Sequence, residues 1–338
     1  MHFTAQGVIP ILPMRILLIK TSSLGDVVHN LPVVTDLRRS YPEAQIDWVV
    51  EEAFREIPRL HPGLHRVIPV ALRRWRRALL APATWREMRS FRSTLQEQNY
   101  DLVIDTQGLL KSALIARLAR GLRCGYGAAS AREPVAARFY DVSFDVPKDL
   151  HAVERNRRLA ALATGYSASS APDYGIAVAC PRSGIPGTQS EPAPTPAGPS
   201  AVLLTATSRD DKLWPEERWI ALGRALQQRG LSCLLPAGSP AERARAERLA
   251  QAIPGSVALP PLSLAELAAQ LAAARIVIGV DTGLVHLAAA LGRPTLALFC
   301  ASDPALTGVY ATTPALNLGA RGQPPGVEEV LAAAAPLF

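Results

Sequence analysis

The chain has 338 residues, 49% of them hydrophobic and 19% charged, with a formal net charge of +7. That length supports two domains with full cores, and no apolar run reaches the roughly 18 residues needed to span a bilayer. Its 4 cysteines (Cys124, Cys180, Cys233 and Cys300) form no CxxC or Cys/His cluster, which argues against a structural zinc site and fits free thiols in a reducing compartment.

The leading MHFTAQGVIPILP lacks a basic n-region and a small-residue cleavage site, so it does not read as a signal peptide. Met14 directly precedes the first strand pattern, and residues 1–13 are expected to be an extension. RILLIK (15–20) reads as a buried strand, and VVHNLPVVTDLRRS (27–40) carries apolar residues at helical spacing. QIDWVVE (45–51) and RVIPV (66–70) read as further strands. A helix is expected from about Pro82 to Asn99, then strand DLVIDTQ (101–107) and helix LLKSALIARLAR (109–120). Such alternation predicts parallel strands with helical crossovers, a doubly wound α/β fold. The Pro/Gly/Ser-rich stretch around 181–199 breaks the rhythm and is expected to separate an N-terminal domain (1–180) from a C-terminal one (200–338). The alternation restarts there: strand AVLLTAT (201–207), a helix after Pro215, strand LSCLLPAG (231–238) and a helix from Pro240 to Ala252. Helix LAELAAQLAAA (264–274), strand RIVIGVD (275–281), helix GLVHLAAALG (283–292) and strand PTLALFC (294–300) follow. Two such domains in tandem leave a cleft at the carboxyl ends of their strands. Neither half holds GxGxxG or GxxxxGK[ST], which disfavours a dinucleotide dehydrogenase or P-loop NTPase.

Chemistry-bearing residues gather at strand–helix junctions. In the first, Ser22, Ser23 and Gly25 make a tight polar turn before Asp26, which is either a helix N-cap or a cleft-facing carboxylate able to take a hydroxyl proton. His29, one turn on, is a rival base. In TATSRDDKLWPEERW (205–219), Lys212 stands outside a helix start, where it could neutralise a leaving diphosphate or pair with Asp210 or Asp211. Glu242 opens a third helix and could accept from ribose hydroxyls. At VDTGLVH, Asp281 and Thr282 end a strand, and Gly283 lets a ligand approach the free N–H groups of the next helix. His286 follows on the same face, as a phosphate donor or a core histidine. RRWRR (73–77) is the densest basic region, suited to phosphates or carboxylates, or simply a solvated face.

Several stretches together resemble the lipopolysaccharide heptosyltransferase I family (glycosyltransferase family 9). They are MRILLIKTSSLGDVVHNLP, DWVVEEAF, RVIPVALRRWRR, YDLVIDTQGLLKSALIARLARG, AREP, HAVERNRRL, TSRDDKLWPEERW, VDTGLVHLAAALGRP and SDPALTGVY, in order from Met14 to Tyr310. The resemblance implies a GT-B fold, two Rossmann-like domains with the donor site in the C-terminal one. It implies inverting transfer of L-glycero-D-manno-heptose from ADP-heptose to the first Kdo of lipid A bearing two Kdo residues. The work would be done at the cytoplasmic face of the inner membrane of Gram-negative bacteria, with no cofactor or metal. Carried over by position, Asp26 matches the catalytic base and Lys212 the residue that stabilises the departing phosphate. Thr207 and Ser208 fall near the phosphates, Asp281, Thr282, Gly283 and His286 match the diphosphate segment, and Glu242 matches the ribose contact. Arg73, Arg74, Arg76, Arg77, Lys111 and Arg132, with Ser22 and Gly25 beside the base, fall on the acceptor side, where anionic Kdo and lipid A phosphates would dock. The N-terminal extension, the Pro-rich insertion, Ala237 (often Trp in the family) and Thr205 (often His) depart from the pattern.

The nearest rival is heptosyltransferase II, which adds the second heptose. A sugar-nucleotide epimerase of the same fold would release free sugar without an acceptor. A basic nucleic-acid-binding module would need clustered aromatics among the arginines, and aromatics are only 6% of the chain, so no nucleic-acid partner is expected.

Overall fold

The computed structural model describes residues 13–168, 171–178, 198–207 and 209–337. Its first sheet holds β1 (Arg15–Ile19), β2 (Gln45–Glu51), β3 (Arg66–Val70), β4 (Asn99–Asp105), β5 (Arg120–Tyr126) and β6 (Val142–Phe144). They are all parallel and lie in the order β3-β2-β1-β4-β5-β6. The second holds β7 (Ser200–Leu204), β8 (Ser232–Leu235), β9 (Val257–Ala258), β10 (Ile276–Val280), β11 (Thr295–Leu298) and β12 (Ala315–Leu318). Its order, β9-β8-β7-β10-β11-β12, repeats the first sheet's pattern strand for strand. Helices cover both faces, so the central strands read as unbroken apolar runs. Ile16 to Ile19, Ala201 to Leu203 and Ile276 to Ile278 are fully buried.

The order reverses between β1 and β4 in one sheet and between β7 and β10 in the other. Ligands of open α/β sheets sit outside the carboxyl ends of the strands at that reversal. Both reversals here carry the polar loops singled out from sequence.

The expected single helix over 27–40 is two, Leu24–Val28 and Leu31–Ser40, broken at His29 and Asn30. Pro32 is the cause. It has no N–H to continue the first helix, yet it fits the first turn of the second. The helix from Pro82 ends at Gln96 because Asn99 already begins β4. Of the expected linker, residues 181–197 lie outside the described residues.

Helix Ala152–Thr164 packs on the first sheet and is tied to helix Leu31–Ser40 by a buried ion pair. Arg157 donates Nε and Nη2 to the two Asp36 oxygens at 2.7 and 3.3 Å, with 1% of the arginine side chain exposed. Removing one partner of such a pair costs about 3–5 kcal/mol, because the other charge stays buried. That anchor fixes the two residues just before it, Arg155 and Asn156, over the β1/β4 reversal.

Candidate active site

On the N-terminal side, β1 runs into Lys20, Thr21, Ser22 and Ser23 before helix Leu24–Val28. Asp26 lies in the first turn of that helix and accepts from Ser23 N–H at 2.8 Å and Ser23 Oγ at 3.2 Å. Arg132 Nη1 approaches the same oxygen, Oδ2, at 3.4 Å. Burial pushes the Asp26 pKa up, but the charges of Lys20 and Arg132 and the bonds from Ser23 outweigh it. The net result is a carboxyl held below its usual range and ionised at neutral pH. The N-cap expected at Asp26 is instead Ser23, and Asp26, third in the helix, completes a capping box by accepting from the Ser23 N–H.

Lys20 is buried, and its Nζ donates to Thr106 O at 2.7 Å and Asn156 Oδ1 at 3.1 Å. Burial lowers its pKa to about 8, against the opposing pull of Asp26 and Asp105. Lys111 donates to Ser22 Oγ at 3.0 Å. Ser22, Asp26, Lys111 and Arg132 are thus brought together, as expected.

On the C-terminal side, Lys212 pairs with neither Asp210 nor Asp211. Its Nζ meets Asp281 Oδ2 at 2.6 Å, while Arg209 takes Asp211. Ser302 Oγ donates to the same Asp281 oxygen at 2.5 Å, and Thr207 Oγ1 to Asp281 O at 3.0 Å. Thr207, Lys212, Asp281 and Thr282 therefore form one cluster at the β7/β10 reversal, at the start of helix Gly283–Ala290. Ser208 lies outside the described residues.

The two clusters meet along a seam between helices Leu24–Val28 and Gly283–Ala290. A Cβ on Gly283 would lie 2.6 Å from Leu24 Cβ and 2.8 Å from Gly25 N, and one on Gly25 would lie 3.1 Å from His286 Cδ2. The close approach expected of a ligand at Gly283 is, on this side, the approach of the other half's helix. His286, expected to donate to a phosphate, is buried in the seam. Its Nδ1 is 3.2 Å from His29 Nε2, and its Nε2 is 4.0 Å from Asp281 Oδ1. His29, the rival base, is engaged across the seam by that contact. Burial lowers the His286 pKa to about 4 and the His29 pKa well below its ordinary value, so both rings are neutral at pH 7. His151 packs edge-on to His29, stacks on Tyr310 and donates Nε2 to Gly308 O at 3.1 Å.

Other expected residues lie away from the seam. Glu242 Oε2 accepts from Gly238 and Ser239 N–H at 2.8 and 3.1 Å, capping its own helix. Arg74 forks onto Glu52 and Glu87 at 2.8–3.1 Å, and Arg73 lies 5.1 Å over the Phe54 ring. Arg76 and Arg77 are exposed.

Residue-by-residue reading passed over Lys20, Gln107, Tyr126, Arg155 and Asn156, which line a cavity of ≈ 40 Å³ with Asp26 and Arg132. A lysine closing an all-apolar strand was the available signal for the first. The rest are brought there by tertiary packing.

Residues 88–330 match glycosyltransferase family 9 (heptosyltransferase). The chain is 47% identical over 299 residues to lipopolysaccharide heptosyltransferase 1 of Escherichia coli K12, spanning 88% of this chain and 91% of that one. It is 48% identical over 299 residues to the Pseudomonas aeruginosa protein of the same name, spanning 88% and 81%. Among solved structures, E. coli heptosyltransferase WaaC with ADP superposes with a TM-score of 0.87 at 42% identity, covering 96% of this chain and 100% of that one. With these likenesses, the GT-B architecture expected from the resemblance is established, and the chain belongs to glycosyltransferase family 9, the heptosyltransferases.

Proposed function

We propose that this heptosyltransferase moves L-glycero-D-manno-heptose from ADP-heptose to the first Kdo of Kdo-bearing lipid A, with inversion, in lipopolysaccharide core synthesis. The observation that carries the reading is the pairing of opposite chemistries along one seam. An ionised carboxylate, Asp26, lies on one side, and a lysine at a helix start, Lys212, lies on the other. Solved WaaC structures with ADP and with ADP-2-deoxy-2-fluoro heptose support the donor assignment.

The residues divide the reaction between them. Asp26 takes the proton of the acceptor hydroxyl as its oxygen attacks the anomeric carbon. The bond from that carbon to the β-phosphate oxygen breaks, and ADP leaves with the electron pair. Lys212, held in place by Asp281, and the N–H groups opening helix Gly283–Ala290 receive the charge that develops on the diphosphate. Thr207, Thr282, Ser208 and Glu242 complete the donor side, the last through the ribose. Ser22, Gly25, Lys111 and Arg132 frame the acceptor sugar. The Arg73, Arg74, Arg76 and Arg77 cluster faces the lipid A phosphates at the cytoplasmic surface of the inner membrane. Among the described residues no helix is long and apolar enough to cross a membrane, so the contact would be peripheral. In domain terms, residues 1–180 serve the acceptor and 200–338 the donor.

The test is transfer from ADP-heptose to lipid A with and without Kdo, by the wild type and by Asp26→Asn. Asp26→Asn is expected to lower turnover about 10³-fold while ADP affinity stays within about twofold. Near-normal turnover removes Asp26 as base, and transfer only to already heptosylated acceptor replaces this reading with heptosyltransferase II.

A further inference from the structure

We propose that Ser302 is a positioning residue for the donor: its hydroxyl, bonded to the same Asp281 oxygen as Lys212, keeps that carboxylate partnered while the lysine turns to the diphosphate. This rests on the donor assignment above and adds to it how a lysine already held by an acid becomes free to act.

Three strand ends of the second sheet meet on Asp281. The loop after β7 brings Thr207 and Lys212, β10 leads into Asp281 itself, and the loop after β11 brings Ser302. Lys212 Nζ and Ser302 Oγ reach the same oxygen, Oδ2, at 2.6 and 2.5 Å. The other oxygen, Oδ1, is 4.0 Å from His286 Nε2, too far for a hydrogen bond. Arg209, the nearby cation, is taken by Asp211. Among the described residues, therefore, Lys212 and Ser302 are the two side chains that donate to this carboxylate.

The pair as it stands opposes the use proposed for Lys212. A carboxylate in contact with the ammonium offsets its charge, and it also repels a diphosphate arriving at the same helix start. The lysine is useful to the extent that Nζ can leave Oδ2. Only 12% of the Asp281 side chain is exposed, and 19% of the lysine's. An acid so placed, with a lysine as its one donor, would resist the parting, because a poorly solvated charge would be left bare.

Ser302 removes that obstacle. Its hydroxyl stays on Oδ2 when the ammonium moves, and being neutral it does not draw the diphosphate away from the lysine. Both ends of this bond are anchored independently of Lys212. The Asp281 backbone donates to Leu298 O at 3.1 Å and accepts from Thr207 Oγ1 at 3.0 Å, so the acid cannot follow the lysine. On either side of Ser302, Cys300 O accepts from Gly322 N–H at 2.8 Å and Asp303 caps helix Pro304–Thr307 through Ala305 N–H at 2.9 Å. The loop therefore holds its hydroxyl in place while Lys212, a flexible side chain, changes partner.

The test measures dissociation constants for ADP and for AMP, which lacks the β-phosphate, in the wild type, Ser302→Ala, Ser302→Thr, Asp281→Asn and the Asp281→Asn/Ser302→Ala double variant. Ser302→Ala is expected to weaken ADP about tenfold while AMP stays within about twofold, and Ser302→Thr, which keeps the hydroxyl, to restore ADP to within about twofold of wild type. In the Asp281→Asn background, where no charge is left to strand, adding Ser302→Ala is expected to change ADP affinity by less than about twofold. Unchanged ADP affinity in Ser302→Ala overturns the proposal. So does an equal loss of ADP and AMP, which would mark the hydroxyl as merely holding the loop. A tenfold loss that persists in the Asp281→Asn background also overturns it, because Ser302 would then touch the ligand directly. Melting temperatures check folding, and the alanine and threonine variants decide even if Asp281→Asn does not fold. A wild type that binds ADP no better than AMP overturns instead the donor arrangement proposed above.

Discussion

β4 and β10 occupy the same place in the two sheets, and both run into an Asp-Thr pair, Asp105–Thr106 and Asp281–Thr282. In both halves a lysine from the neighbouring reversal strand's loop reaches across to that pair. Lys20 ends on the Thr106 carbonyl, and Lys212 ends on the Asp281 carboxylate. The difference lies in what surrounds each acid. Asp105 is fully buried, satisfied by two backbone N–H groups and a tyrosine hydroxyl, and burial raises its pKa. Asp281 is held by side chains at the edge of the seam, from Lys212 and Ser302. One backbone junction thus yields a turn-building acid in the first half and a cation-holding acid in the second. In the first half the lysine ends on a backbone carbonyl and an asparagine, and in the second on the carboxylate itself.

Breaking the donor side of that comparison gives the largest expected effect. Lys212→Ala removes the counter-charge proposed for the diphosphate and is expected to lower donor kcat/KM by about 10²–10³-fold, read from steady-state kinetics in ADP-heptose. Unchanged donor kinetics would remove Lys212 from the proposed site. Next, the two aspartates should part company under alanine substitution. Asp105→Ala strands buried donors and is expected to cost about 3 kcal/mol in denaturant unfolding, whereas Asp281→Ala is expected to cost about 1 kcal/mol or less. Similar costs would mean that the two junctions share one role. Gly283→Ala places a Cβ against Leu24, whose own Cβ cannot swing away, and is expected to lower stability by about 1–3 kcal/mol. An unchanged melting temperature would show that the helices part freely.

The smallest effect is electrostatic. Burial depresses the His286 pKa from 6.5 to about 4, and that of His29 falls well below 6.5. The folded state therefore binds fewer protons than the unfolded state in this window. The stability contribution is full above about pH 6.5 and is lost as pH falls toward 4. His286→Gln should flatten the melting temperature against pH over that range. An equal slope in both proteins would place the acid lability elsewhere.

Legibility in the sequence followed burial. β1, β2, β7, β10 and β11 announced themselves because a sheet covered on both faces demands apolar runs. β5 and β6 did not. Arg120, Gly121 and Leu122 of the first, and Val142 and Ser143 of the second, are exposed, so no pattern was imposed on them. Helix Ala152–Thr164 was masked for the opposite reason: it turns Asn156 and Arg157 inward, which breaks the apolar period a helix is read by. In the candidate site, single residues at strand ends could be read, but their partners could not. Lys212 finds Asp281 across 69 positions and His29 finds His286 across 257. Neither spacing carries a local signal. The cavity lined by Lys20, Gln107 and Arg155 draws on widely separated segments and was invisible for the same reason.

The hydrogen bonds of Asp26 carry a last consequence. Ser23 N–H, Ser23 Oγ and Arg132 Nη1 all converge on Oδ2. The two carboxylate oxygens are thereby made unequal before any sugar arrives, and Oδ1 is the one left to receive a proton. The Ser23 bond belongs to the start of helix Leu24–Val28, so that helix orients the carboxylate. In the proposed reaction Asp26 would act as a one-sided base, and the sugar would have to present its hydroxyl from the Oδ1 side.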